Sequence, residues 1–75
     1  MQTIEFYGYW GNTKKKVHIC VPTGGEGCQI IVDNFYQGII LKRKGQWAGY
    51  INYNSELTAD DILILGSIIE DNTGK

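Results

Sequence analysis

Polar and apolar residues alternate over roughly the first fifty positions and then switch to a helical period in the last third. In Thr3 to Trp10, Ile4, Phe6, Gly8 and Trp10 share one side while Glu5, Tyr7 and Tyr9 share the other, the period-two signature of a half-buried strand. Gly11-Asn12-Thr13-Lys14 is turn chemistry, and Lys15 to Val21 resumes the alternation with Val17, Ile19 and Val21 opposed to Lys16, His18 and Cys20. Pro22 cannot donate to a ladder and Gly24, Gly25 and Gly27 follow it, so a loop carrying Glu26 is expected before a third strand, Cys28 to Val32. Asp33-Asn34 begins the next turn, with Phe35 and Tyr36 in or beside it. Gln37 to Arg43 supplies a fourth strand in which Ile39 and Leu41 alternate with Gly38, Ile40 and Lys42. Lys44-Gly45 is a tight turn, and Gln46 to Tyr53 closes the sheet with Trp47, Gly49, Ile51 and Tyr53 on one face.

From Ser55 to Asp71 the pattern is that of a capped amphipathic helix. The Thr58 hydroxyl can cap the first turn, Asp61 can reach back to the cap amide, and Leu57 and Ile62 stand at hydrophobic-staple spacing. Asp60 and Asp61 put negative charge at the positive end of the helix dipole. Ile62, Leu65 and Ile69 form an apolar stripe, with Gly66 beside it to let the backbone approach a bulky neighbour such as Trp47. Asn72 to Lys75 are expected to fray. Short connections favour pairing between consecutive strands. The predicted fold is therefore α+β: an antiparallel β-meander of four to five strands with one C-terminal α-helix packed on one face, a single small domain over residues 1–75. The expected core is Ile4, Phe6, Val17, Ile19, Val21, Ile30, Val32, Ile39, Leu41, Trp47 and Ile51 beneath the helix stripe.

Composition narrows the classes. An apolar fraction of 43% with 20% charged residues calls for a packed core, yet a chain of 75 residues buries only about 60% of its unfolded surface. A formal net charge of −1 lacks the basic excess of a dedicated nucleic-acid or anionic-membrane binder. No apolar run approaches the ~20 residues that span a bilayer, and Met1 to Trp10 lacks the segments of a signal peptide, so a cytoplasmic location without membrane attachment is expected. Two cysteines are too few for a disulfide scaffold.

Residues with chemical potential are sparse. His18, Cys20 and Cys28 have metal-ligand character, and a hairpin about the glycine loop would set Cys28 across from Cys20 with Glu26 nearby. Their H-x-C-x7-C spacing on strands is not that of structural zinc, which favours a core cysteine pair and a surface histidine and implies no metal. Pro22 to Gly27 lacks the lysine and hydroxyl of a phosphate loop and precedes a strand, so no cofactor is expected there. Lys14-Lys15-Lys16 and Lys42-Arg43-Lys44 lie near turns at opposite ends of a meander and read as solvated charges. With one histidine and acids better used in capping, no catalytic set can be assembled, and an enzyme is not expected.

The informative excess is apolar. Leu63 and Ile64 lie off the helix stripe, and the sheet face turned away from the helix carries Tyr7, Tyr9, Cys20, Ile31, Ile40 and Tyr50. Tyr7, Tyr9, Ile31, Ile40, Tyr50, Leu63 and Ile64 are accordingly the candidate contact residues of a non-enzymatic protein-protein interaction module, either a homodimer or an adaptor. The alternative is single-stranded nucleic-acid binding through the sheet-face tyrosines and the lysine-rich turns.

Overall fold

Tight turns set the topology. The computed structural model describes residues 2–23 and 27–73. Strands β1 (Gln2–Trp10), β2 (Thr13–Val21), β3 (Cys28–Val32), β4 (Phe35–Arg43) and β5 (Gln46–Ile51) form one antiparallel sheet in chain order, and helix α1 (Ala59–Thr73) packs on it. Asp33 and Asn34 both take positive φ, 50° and 68°, as do Lys44 and Gly45, at 52° and 80°, which is the backbone of two-residue hairpin turns matched to strand twist. Turns this short release no residues to loops. β2 therefore begins at Thr13 and β4 at Phe35, each ahead of the positions that alternation alone assigns, so Phe35 and Tyr36 are strand residues. β5 stops at Ile51, and Tyr53 leaves the sheet to stand fully exposed.

One strand is turned over relative to expectation. Ile30 pairs with Gly38 and Ile31 with Tyr36, which leaves Gln37 as an extra residue on β4. A bulge of one residue inverts every side chain beyond it. Ile40 consequently points beneath the helix and is fully buried in the core, so it is not a contact residue of the outer face. Ile39 and Leu41, expected beneath the helix, lie instead on the outer face, paired with Tyr50 and Ala48, although Leu41 is buried there, as expected of a core residue. Gly38 makes the bulge possible. Its φ of 145° is closed to L side chains, and a Cβ there would collide with the Tyr50 carbonyl oxygen. Gln37 is held in place through its side chain, which donates from Nε2 to the Phe35 carbonyl and accepts from Ser55 Oγ, while its own carbonyl accepts from the Asn52 amide.

The helix starts as its sequence dictates. Thr58 Oγ1 accepts from the Asp61 amide at 3.2 Å, and Asp61 Oδ2 accepts from the Thr58 amide at 2.9 Å, a reciprocal box. Leu57 and Ile62 both pack partly buried against the core. Leu65, Gly66 and Ile69 are the buried residues of α1. They close over a cluster that contains Ile4, Val17, Ile19, Cys28, Ile30, Val32 and Ile40. The helix continues through Asn72 and Thr73, whose side chains donate back to the carbonyls of Ile68 and Ile69 four residues earlier, while residues 74 and 75, also expected to fray, lie outside the described residues. Among the described residues no helix is long and apolar enough to cross a membrane.

Trp47 fixes where the helix lands. Its ring occupies the place a Cβ on Gly66 would take, and its Nε1 donates to Glu70 Oε1 at 2.9 Å. Lys42 Nζ reaches the same oxygen at 2.6 Å. The two donors, Lys42 first and Trp47 second, hold the Glu70 carboxyl below the usual glutamate range.

Two outcomes follow from this seat. Alanine in place of Gly66 gains up to about 1 kcal/mol in helix propensity, but it drives a methyl into the indole ring at an overpacking cost of about 1–3 kcal/mol. A lower urea midpoint for G66A is therefore expected. Because the folded state lowers the Glu70 pKa, this carboxylate stabilises the fold above the ordinary glutamate value of about 4.5, and that contribution is lost as pH falls through the lowered value. Wild type should thus lose stability faster than E70Q on acidification below pH ~4.5, read as melting temperature against pH.

Candidate functional site

Register sorts the remaining side chains into an outer sheet face that the helix does not cover. Glu5, His18, Ile31 and Tyr36 form one row across β1 to β4. Thr3, Cys20, Gln29, Ile39 and Tyr50 form the next, across all strands. On β3 to β5 the result is a continuous strip: Ile31, Tyr36, Ile39 and Tyr50, with Leu41 and Ala48 beside it. Tyr36 is 47% and Tyr50 63% exposed, so both rings are available to a partner.

The expected contact residues do not form one surface. Tyr7 and Tyr9 lie on β1 and Tyr50 on β5, four strand spacings or about 19 Å away. Ile31 lies between them on β3 and is half-buried. Tyr7 and Tyr9 share their corner with Lys14 and Lys16, directly opposite on β2, and Lys14 Nζ stands 4.6 Å from the Tyr7 ring centroid. Leu63 and Ile64 are exposed, but on the helix, which covers the other side of the sheet. Tyr36 and Ile39 were hidden from the sequence pattern by the bulge. A glycine inside a strand, Gly38, was the available signal.

The histidine and cysteines do not converge. Cys20 pairs with Gln29 rather than Cys28, so Cys20 projects from the outer face while Cys28 lies buried among the core residues. Neither a disulfide nor a shared metal can be built from two thiols on opposite faces, and among the described residues no cluster of three potential ligands is present. His18 Nδ1 is 2.9 Å from Glu5 Oε1, a surface contact that occupies the histidine. Glu26 and the glycines at 24 and 25 lie outside the described residues.

A cavity of about 390 Å³ opens on the helix side, beyond the start of α1, between Trp10, Phe35, Leu57 and the segment 52–57. Several of its polar groups bond within the chain. Lys15 Nζ binds Glu56 Oε2 at 2.9 Å, Ser55 Oγ donates to Gln37 and accepts from the Leu57 amide, and Asn52 donates to the Tyr36 carbonyl. This arrangement anchors the connection between β5 and α1. Comparison of the chain with protein-family models, with curated proteins and with solved structures finds no match.

The split environment of the thiols sets their reactivity. Burial pushes the Cys28 thiol up, which disfavours its thiolate, whereas Cys20 is partly accessible. A thiol reagent added to native protein at neutral pH should label Cys20 first, C20S should remove the fast phase, and Cys28 should react only on unfolding, as read by mass spectrometry.

Proposed function

We propose that the protein is a non-enzymatic interaction module that docks a protein partner on the outer face of β3 to β5. The observation that carries this reading is the strip that Ile31 and Tyr36 in one cross-strand row form with Ile39 and Tyr50 in the next, an apolar patch with two exposed phenols. Tyrosines suit such a role because each offers a large apolar body with a hydroxyl that stays hydrogen-bonded, at low conformational cost. Glu5, Lys14, Lys16 and His18 border the strip on the β1 and β2 side of this face, and Arg43, paired with Gln46, ends it on β4, so the strip has a charged rim.

Single-stranded nucleic acid is the second reading, supported by the corner where Tyr7 and Tyr9 meet Lys14 and Lys16. Against it, Lys15 and Lys42 project to the helix side and are bound by Glu56 and Glu70, which divides both lysine runs. Steep salt dependence of oligonucleotide binding would favour this reading.

The test is affinity capture with wild type and with Y36K/Y50K, after circular dichroism establishes that both are folded. Proteins retained by wild type and lost from the variant are the expected result. The same set retained by both would overturn an outer-face site.

A further inference from the structure

Among the described residues, β1 is a sheet edge with none of the usual protection. Nine residues long, it carries no lysine, proline or bulge, and Glu5 is its one charge. Its backbone phase is fixed by Lys16, whose amide donates to Asp33 Oδ1 at 2.9 Å and whose carbonyl accepts from the Asp33 amide at 2.8 Å, both on the β3 side. Lys16 therefore exchanges no backbone bonds with its β1 partner Tyr7. By alternation, the N–H and C=O groups of Thr3, Glu5, Tyr7 and Tyr9 point away from the sheet. The opposite edge, β5, has six residues, and its Trp47 and Gly49 pack directly under the helix, at Gly66 and Ile62.

We propose that β1 pairs antiparallel with β1 of a second copy of this chain, about a two-fold axis at Phe6, to join two sheets into one. This contact uses the edge and is independent of what the outer face binds. In this register Glu5 meets the partner's Tyr7 and Thr3 meets the partner's Tyr9, so all four outward residues of each strand are matched. Each matched pair exchanges two backbone hydrogen bonds, about eight in all. A shift of two residues one way sets Glu5 against its own copy and loses a pair; a shift the other way loses a pair with no compensation.

Side chains favour the same register on both faces. On the outer face, Glu5 comes opposite the partner's Tyr7, the ring that Lys14 overlies at 4.6 Å, so a carboxylate faces a cation. On the helix side, Phe6 sits on the axis against its counterpart, and Ile4 faces the partner's Gly8. Phe6 and Trp10 are half-buried within one chain, and the seam supplies the cover they lack. The pairing is isologous and closes at two copies, whereas β1 against β5 would propagate into a filament.

Native-state amide exchange on the full chain, combined with sedimentation equilibrium, tests this directly. At concentrations where the dimer forms, the amides of Thr3, Glu5, Tyr7 and Tyr9 should be protected and should lose that protection on dilution. Tyr7 is 58% exposed, so Y7E should fold, and it places two like-charge pairs in the seam, expected to weaken dimerisation by about tenfold or more. Adding E5K to Y7E should restore association, while Y36K/Y50K should leave it intact. Monomer at all concentrations, a dimer with freely exchanging β1 amides, loss of the dimer in Y36K/Y50K, or open-ended polymers would each overturn the proposal.

Discussion

The helix is held to the sheet by one indole. Hydrophobic burial alone is non-directional and would let a one-stripe helix slide or roll over an apolar platform. Trp47 removes that freedom because it is both a shape and a donor. Its ring fills the notch at Gly66, and its Nε1 bond to Glu70 ties the next turn of α1 to the β4-β5 hairpin that also supplies Lys42. Unmade, that bond would leave a half-buried donor unsatisfied, so the polar contact penalises every other helix position. With the helix so placed, Leu65 and Ile69 reach the Ile19, Ile30 and Ile40 side chains in the middle of the sheet.

Most of this fold was legible in the sequence because it is written in local signals. Alternation marked the strands, Thr58 and Asp61 marked the helix start, and Gly66 opposite Trp47 followed from one small and one large residue on facing elements. The face of β4 was not legible. Its parity depends on the single unpaired residue Gln37, and the groups that stabilise the bulge, Asn52 and Ser55, come from a connection far along the chain. One unseen bulge moved Ile40 into the core and brought Ile39 out beside Tyr50. The cavity beside Phe35 and Leu57 was hidden for a similar reason, since it exists only where that connection folds back over the sheet end.

Strand geometry also changes what a charge run means. Three consecutive lysines suggest a dense patch, but a strand sends neighbours to opposite faces. Lys14 and Lys16 stay outside with Tyr7 and Tyr9, while Lys15 crosses to Glu56; Lys42 likewise crosses to Glu70. Two of the six cations in the two runs are thus paired with carboxylates within the chain. The tyrosines on β1 and β5 were legible as outward residues, because their strands keep an unbroken period, but their separation across the sheet was a property of strand order rather than of sequence spacing.

The edge and the outer face are different kinds of unfinished surface, and joining two copies at the edge does not consume the face. Antiparallel pairing of odd with odd positions preserves side-chain parity, so both outer faces stay on the same side of the joined sheet. The strips around Tyr36 and Tyr50 sit toward the strands furthest from the seam, and the two Lys14 corners flank its centre on either side. A dimer built this way presents its apolar strips twice, in fixed relative orientation, with the charged residues of β1 and β2 between them. Binding to one strip then makes the second encounter intramolecular, and a partner with two matching sites gains avidity without any new contact type. Joined in this way, a domain of 75 residues, whose single helix can shelter one face of its sheet, would gain a larger surface by completing its own backbone hydrogen bonds.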